Sequence, residues 1–200
     1  MIRVALFGTS ADPPTAGHLA ILHWLSQHYD WVAVWAADNP FKSHQTPLEH
    51  RSQMLRLLVE EMQPRRQNVG VHPELSSYRT LETVEKAKQR WGEGVDLTLV
   101  IGSDLIEQLP RWYQVKDLLQ QVRLLVVPRP GYEMENDKIE GLRRLGGKIA
   151  IADFTGLDVS STAYRKNRNT KIVTPSIEAY IHQQHLYKCQ DAPKEKLTVR

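Results

Sequence analysis

Short apolar runs alternate with longer segments of helical periodicity along most of the chain. Several runs are apolar at nearly every position, which is typical of parallel strands buried on both faces of a sheet. Alternation of this kind limits the chain to a small set of layered architectures. The predicted strands cover residues 2–7, 31–37, 68–72, 96–102, 122–128 and 148–153.

The segments between these runs carry apolar residues three and four positions apart, as amphipathic helices do. Thr46 as N-cap, Pro47 at the first position and Glu49 three residues after the cap predict a capping box. Thr174 and Pro175 likewise predict the start of a closing helix. The predicted helices cover residues 18–28, 47–63, 80–91 and 114–121, with a capped helix start in 158–169 and the closing helix at 174–187.

This alternation predicts an α/β, Rossmann-like, doubly wound fold. Five to six strands should form a mainly parallel sheet, with helices on both faces and a small C-terminal helical segment. We expect one domain over residues 1–187 and a frayed, polar tail at 188–200. The stretch 131–146 is less regular in sequence, and we expect part of it to be mobile.

Composition narrows the range of partners. The 200 residues carry a net charge of +3 at pH 7, and the basic residues are scattered. A small anionic substrate therefore fits better than a nucleic acid. Cys189 is the single cysteine, so neither an intrachain disulfide nor a cysteine metal cluster is expected. The apolar runs are too short for a signal peptide or a membrane span, which predicts a cytoplasmic protein without a membrane partner. The oligomeric state is open, self-association included.

The segment GTSADPPTAGH, residues 8–18, joins the first predicted strand to the first predicted helix. A helix that begins there would offer free N–H groups and a positive dipole end to a phosphate. Gly8 and Gly17 would let a phosphate approach closely, and Thr15 would share one helix face with His18. The same residues also suit a simple turn in which His18 is a solvated cap.

Four segments in order make the chain resemble the bacterial nicotinate mononucleotide adenylyltransferases. DPPTAGH is similar to the (H/T)-x-G-H motif of nucleotidyltransferases. IGSDLIEQLPRWY resembles that family's I-G-x-D followed by P-x-W-Y, and RPGY resembles its R-P-G-[FY]. VSSTAYR resembles I-S-[SA]-T-x-I-R, and the closing helix also has a counterpart in the family. The four segments occupy residues 12–18, 101–113, 129–132 and 159–165, and the closing helix occupies residues 174–187.

The resemblance implies a reaction between ATP and nicotinate mononucleotide that yields nicotinate adenine dinucleotide, the deamido precursor of NAD, and pyrophosphate. The attacking phosphate is already an anion, so the site needs charge stabilisation and alignment rather than a strong base. The resemblance also implies Mg²⁺ as cofactor, bound with ATP mainly through the phosphates. The protein itself is predicted to supply no metal site.

The resemblance assigns the phosphate chemistry to four residues. His18 would stabilise a phosphate directly, Thr15 would donate a hydroxyl, and Lys42 and Arg165 would add positive charge. Lys42 as a solvated loop lysine, and Arg165 as a solvated arginine on an ordinary capped helix, are the alternatives. The predicted ATP-binding residues are Gly8, Thr9, Gly17, His18, Gly102, Asp104, Ser161, Thr162 and Arg165.

The residues predicted to bind the mononucleotide lie in other segments of the chain. The resemblance implies that Trp112 stacks on the nicotinate ring, although a core aromatic is the alternative. Asp104, one of the predicted ATP-binding residues, would accept bonds from ribose hydroxyls or would only cap a helix. Arg129 would add charge near the phosphates or pair with a surface acid. The predicted substrate-binding residues are Ser77, Tyr78, Arg79, Trp112, Tyr113 and Arg129.

Two departures from the family pattern keep other functions open. Thr15 stands where this family usually has His, and Arg79 stands where its S-Y-T segment has Thr. Arg79 would pair with the substrate carboxylate, point away, or signal another acceptor. The alternatives are adenylyl transfer to nicotinamide mononucleotide or phosphopantetheine, and a nucleotide-binding regulator without turnover.

The remaining histidines show no metal-ligand spacing. We predict that they are surface residues: His23, His28, His44, His50, His72, His182 and His185.

Overall fold

The computed structural model describes residues 1–38, 45–132, 134–154 and 156–187. Within these residues the chain forms one six-stranded sheet whose strands are all parallel, in the order β3-β2-β1-β4-β5-β6. The strands are β1 (Arg3–Thr9), β2 (Trp31–Ala36), β3 (Val69–Val71), β4 (Asp96–Gly102), β5 (Arg123–Val127) and β6 (Lys148–Ile151). The predicted doubly wound α/β fold is therefore confirmed.

Helices follow the strands and cover both faces of the sheet. They are α1 (Ala16–His28), α2 (Leu48–Glu60), α3 (Thr80–Trp91), α4 (Val115–Gln121), α5 (Asn136–Arg144), α6 (Ser161–Asn167) and α7 (Pro175–Gln183). None of the described helices is long and apolar enough to cross a membrane.

Alternate side chains of β1 feed two separate cores, because successive residues of a strand point to opposite faces. Ala5 and Phe7 pack in the core that contains α1, α2 and α7, whereas Val4 and Leu6 pack in the core that contains α3 and α4. Burial on both faces explains why the sequence of this strand is continuously apolar.

Two local predictions are wrong. The helix after residue 46 begins at Leu48 with Pro47 as its N-cap, so the capping box of Thr46 does not form. Thr46 instead uses its backbone, which donates N–H to Asp12 and accepts a bond from Arg51. The stretch 131–146, predicted to be irregular, contains α5, and Ile139 and Leu142 are buried beneath it.

Candidate active site

The site lies at the carboxyl edge of the sheet, between β1 and β4. These strands are neighbours, and the chain winds away from them in opposite directions to β3 and to β6. Loops that follow two such strands diverge and leave a crevice, where open α/β sheets bind their ligands. Residues 10–15 follow β1 and residues 103–114 follow β4, so both loops border this crevice.

His18 occupies the first turn of α1, and both of its ring nitrogens have partners. The backbone N–H of Thr15 donates to Nδ1 over 3.0 Å, and Thr15 Oγ1 lies 2.9 Å from the same nitrogen. Nε2 lies 2.9 Å from Thr9 Oγ1, at the end of β1. A backbone N–H can only donate, so Nδ1 accepts, and the hydrogen-bond network assigns the proton of the neutral ring to Nε2. His18 thus directs its Nε2–H at the Thr9 hydroxyl at the end of β1.

Thr15 is the N-cap of α1, and its exposed fraction is only 1%. The interpretation from sequence gave its hydroxyl to a phosphate, but in the structure this hydroxyl contacts the His18 ring. The geometry therefore suits Thr15 to orienting His18.

The beginning of α6 packs directly against the loop after β1. Ser160 caps α6 by accepting a bond from Ala163 N at 3.1 Å. Ser161 Oγ donates to Pro13 O over 2.8 Å, and Arg165 Nη1 donates to Asp12 O. The structure therefore brings the first and last predicted phosphate motifs together, although they are about 150 positions apart in sequence.

The two glycines of the loop have packing roles. A Cβ on Gly8 would lie 2.6 Å from the indole of Trp35, so the absence of a side chain there makes room for a neighbouring tryptophan rather than only for a ligand. A Cβ on Gly17 would lie 3.0 Å from Val159, just before α6. Gly17 therefore permits the close approach of α1 to the segment that leads into α6.

A second cluster joins the loops after β4 and β5. Asp104 Oδ2 accepts a bond from Arg129 Nη1 at 3.0 Å, while Asp104 Oδ1 is buried without a hydrogen-bond partner. A Cβ on Gly102 would lie 2.3 Å from that oxygen, so a side chain there would displace the Asp104 carboxylate. Ser103 Oγ accepts the backbone N–H of Arg129 at 3.0 Å and so fixes the two loops to each other.

Some of the residues predicted for the mononucleotide also come together. The guanidinium of Arg79 lies 4.3 Å from the centre of the Tyr113 ring, which joins the segment before α3 to the loop after β4. Arg79 also pairs with Glu82 at 3.6 Å, and Ser77 Oγ donates to the same carboxylate. Tyr78 is 73% exposed, and Trp112 is half-buried against the α3 side of the sheet.

Sequence reasoning missed Arg51, whose exposed fraction is 1%. Its Nε donates to Thr46 O over 2.7 Å, and its Nη1 donates to Ser10 O and Ala37 O over 3.0 and 2.8 Å. Its Nη2 pairs with Asp38. One side chain thus binds the loops after β1 and β2 together. The available signal was its position, three, four and seven residues before apolar residues of α2.

The prediction for the histidines is wrong at His72. Its exposed fraction is 5%, its Nδ1 lies 3.0 Å from Glu74 and its Nε2 accepts a bond from Trp31 Nε1 at 3.3 Å. His28, His182 and His185 are exposed, as predicted, whereas His23 and His50 are half-buried. His44, Lys42, Cys189 and the predicted tail at 188–200 lie outside the described residues.

Comparison with known proteins decides the family. The model of the cytidylyltransferase-like family matches residues 6–167. A Synechocystis sp. protein named "Probable nicotinate-nucleotide adenylyltransferase" is 44% identical over 94% of this chain and all of its own length. The chain belongs to the nicotinate-nucleotide adenylyltransferases of the cytidylyltransferase-like family.

Other nicotinate-nucleotide adenylyltransferases match along the same length. The Bacillus subtilis protein of that name is 28% identical over 94% of this chain and all of its own length. A nicotinic acid mononucleotide adenylyltransferase from Plasmodium falciparum, solved in complex with NaAD, superposes with a TM-score of 0.80 over 94% of this chain and 98% of that chain. Their sequence identity is 19%, so this likeness concerns the fold.

The family match includes the loop after β1, the loops after β4 and β5 and the start of α6. These are the segments on which the resemblance was argued from sequence, and the family it indicated is confirmed. α7 and residues 184–187 lie beyond the segment that the family model matches.

Proposed function

We propose that this protein transfers the adenylyl group of ATP to nicotinate mononucleotide, giving nicotinate adenine dinucleotide and pyrophosphate in NAD biosynthesis. The observation that carries the proposal is His18, whose Nε2–H is fixed beside the end of β1, where α1 begins and α6 packs. The activity for which the relatives are named supports the same reaction.

In this reaction a phosphate oxygen of the mononucleotide attacks the α-phosphorus of ATP. A new P–O bond forms, the bond from the α-phosphorus to the bridging oxygen breaks, and pyrophosphate leaves. Because the nucleophile is an anion, the protein needs donors where charge develops rather than a base. His18 Nε2–H supplies one such donor. Thr15 contributes by holding Nδ1, so the donor is oriented before substrate arrives.

The ATP phosphates are assigned to the loop after β1 and the start of α6. Gly8, Thr9 and Gly17 form the first part of this site, and Ser161, Thr162 and Arg165 form the second. Arg165 suits the role because its Nη2 makes only a 3.3 Å bond to Thr162 and its side chain is exposed. Lys42 remains a predicted second cation.

Gly102 and Asp104 are assigned to the ribose. The unpartnered Oδ1 of Asp104 supports this assignment, because a buried carboxylate oxygen without a donor is costly and a ribose hydroxyl would supply one. Arg129 holds the other oxygen and keeps the carboxylate in place.

Mg²⁺ is proposed to enter as part of the MgATP substrate. The described residues contain no group of three His, Cys, Asp or Glu side chains that could hold a metal ion. The two carboxylates nearest the proposed phosphate and ribose sites also do not suit a metal: Asp12 has a donor on each oxygen, and Asp104 is paired with Arg129. No step of the reaction is therefore assigned to a protein-bound metal.

Replacing Trp112 with alanine should weaken mononucleotide binding by about 1–3 kcal/mol, the range found for stacking of bases on aromatic side chains. The reason is that the electron-poor pyridinium ring of the mononucleotide stacks on the Trp112 indole. Calorimetric titration measures the effect. Trp91→Ala is the control, because Trp91 lies at the far end of α3, roughly 16 Å from its beginning. Equal losses of affinity in Trp112→Ala and Trp91→Ala would contradict stacking of the mononucleotide on Trp112.

Replacing Arg79 with threonine should lower kcat/KM for nicotinate mononucleotide by about tenfold or more, since a charge-assisted bond to the carboxylate is lost. The amide mononucleotide lacks that charge, so its kcat/KM should hardly change. Arg90→Thr, an exposed arginine at the other end of α3, is the matched control. Parallel losses for both mononucleotides would rule out selection by Arg79.

Pyrophosphate release tests the function itself. The pure protein is incubated with ATP, Mg²⁺ and one acceptor at a time: nicotinate mononucleotide, nicotinamide mononucleotide or phosphopantetheine. We expect the highest kcat/KM with the first. A higher value with another acceptor would reassign the substrate. ATP binding without pyrophosphate release for any acceptor would indicate a regulator.

A further inference from the structure

The C-terminal segment reaches back to the loop after β1 at three points. Tyr187 Oη donates to Asp12 Oδ1 over 2.6 Å, Arg165 Nη1 donates to Asp12 O, and Ser161 Oγ donates to Pro13 O. The first two contacts meet on one residue, Asp12, whose exposed fraction is 4%. Asp12 is therefore the point at which the far end of the fold fixes this loop.

The carboxylate of Asp12 depends on these partners. Its Oδ2 accepts the backbone N–H of Thr46 at 3.3 Å, and its Oδ1 accepts the Tyr187 hydroxyl. A buried carboxylate is stable only when its oxygens are hydrogen-bonded. Burial, followed by the Asp12 charge, raises the pKa of Tyr187, so the hydroxyl keeps its proton and remains a donor at neutral pH.

We propose that Tyr187 is a positioning residue for adenylyl transfer: its hydroxyl holds Asp12, and through the loop to Thr15 it sets the orientation of His18. This inference rests on the proposed function. It goes beyond the activity that the relatives' names give, which assigns no role to residue 187.

The path from Asp12 to His18 is short and stiff. Two prolines, Pro13 and Pro14, separate Asp12 from Thr15, and proline fixes the backbone φ angle. Thr15 then holds the ring through its N–H and its hydroxyl. A shift of Asp12 is therefore passed to the imidazole rather than absorbed by the loop. Catalysis is sensitive to displacements of about 1 Å, so such a shift should reduce kcat.

Tyr187→Phe tests the proposal, since it removes the hydroxyl and keeps the ring that packs against Tyr164. We expect kcat to fall about tenfold, with the KM for the mononucleotide changed less than about twofold. The control is Tyr180→Phe. It removes a tyrosine hydroxyl of α7 that is hydrogen-bonded to His50. Equal kcat values for Tyr187→Phe and the wild type would overturn the proposal.

A second comparison separates positioning from general loosening of the fold. In a His18→Ala background, Tyr187→Phe should cause little further loss of kcat, because the group that it positions is absent. A full tenfold loss in that background would overturn the proposal. Asp12→Asn is the second variant. Its loss of kcat should not add to the loss caused by Tyr187→Phe when the two substitutions are combined. Fully additive losses would count against a path from Tyr187 through Asp12 to His18. Rates are compared below the thermal unfolding midpoint of every variant.

Assaying the wild type in parallel distinguishes a failure of the proposed function from a failure of the positioning role. A wild type that releases no pyrophosphate would contradict the proposed function, whereas an active wild type matched by Tyr187→Phe would contradict only the positioning role.

Discussion

Replacing His18 with alanine should lower kcat by at least about a hundredfold, the usual effect of losing one donor that stabilises transition-state charge. The affinity for each substrate should change much less, because the donor acts mainly where charge develops. Steady-state pyrophosphate release measures kcat, and equilibrium titration measures binding. A His18→Ala variant with a near-normal rate would overturn the role of this side chain.

Two amide replacements test which nitrogen acts. The hydrogen bonds of the ring place the donor at Nε2, with Nδ1 as acceptor. Glutamine places an amide N–H near the position of Nε2, whereas asparagine reaches only the position of Nδ1. His18→Gln should therefore retain more activity than His18→Asn; the reverse order would contradict the assigned tautomer. His28→Ala, at the exposed end of the same helix, is the control.

Replacing Arg51 with methionine should destabilise the protein by about 3 kcal/mol or more. Methionine keeps the apolar stem but removes the guanidinium that donates to the carbonyls of Ser10, Ala37 and Thr46. Each buried group left unsatisfied costs about 1–3 kcal/mol. Urea denaturation measures the change in the free energy of unfolding.

Two further variants make the Arg51 prediction specific. Arg56→Met, an exposed arginine on the same helix, should change the free energy of unfolding by less than about 0.5 kcal/mol. Arg51→Lys should give an intermediate loss, since an ammonium cannot reach all the acceptors of a planar fork. Similar losses for Arg51→Met and Arg56→Met would show that the buried bonds contribute little.

Most of the fold was predictable because its strongest signals are local. β4 and α3 have the bounds that their apolar patterns predict, and the other strands differ by only a few residues. α5 was missed because only Ile139 and Leu142 anchor it and Gly141 interrupts it. The cap predicted at Thr46 does not form because the Thr46 backbone hydrogen-bonds with Asp12 and Arg51. These two bonds outweigh a local cap.

The candidate site was predictable where its residues form short motifs. The family, and with it the segment around His18, followed from residues close together in the chain. Arg51, His72 and Tyr187 were not recognised, because each acts through partners distant in sequence, up to 175 positions apart. The sequence around a single polar residue does not indicate which distant carbonyl or carboxylate it will bond.

The contacts between residues 12–13 and residues 161–187 have a consequence for assembly. A chain that has organised only its first 151 residues already contains all six described strands, yet its loop after β1 still lacks the contacts with Ser161, Arg165 and Tyr187. Closing contacts over such separations is entropically slow, so they should form late in folding. Catalytic competence should therefore lag behind the appearance of the sheet.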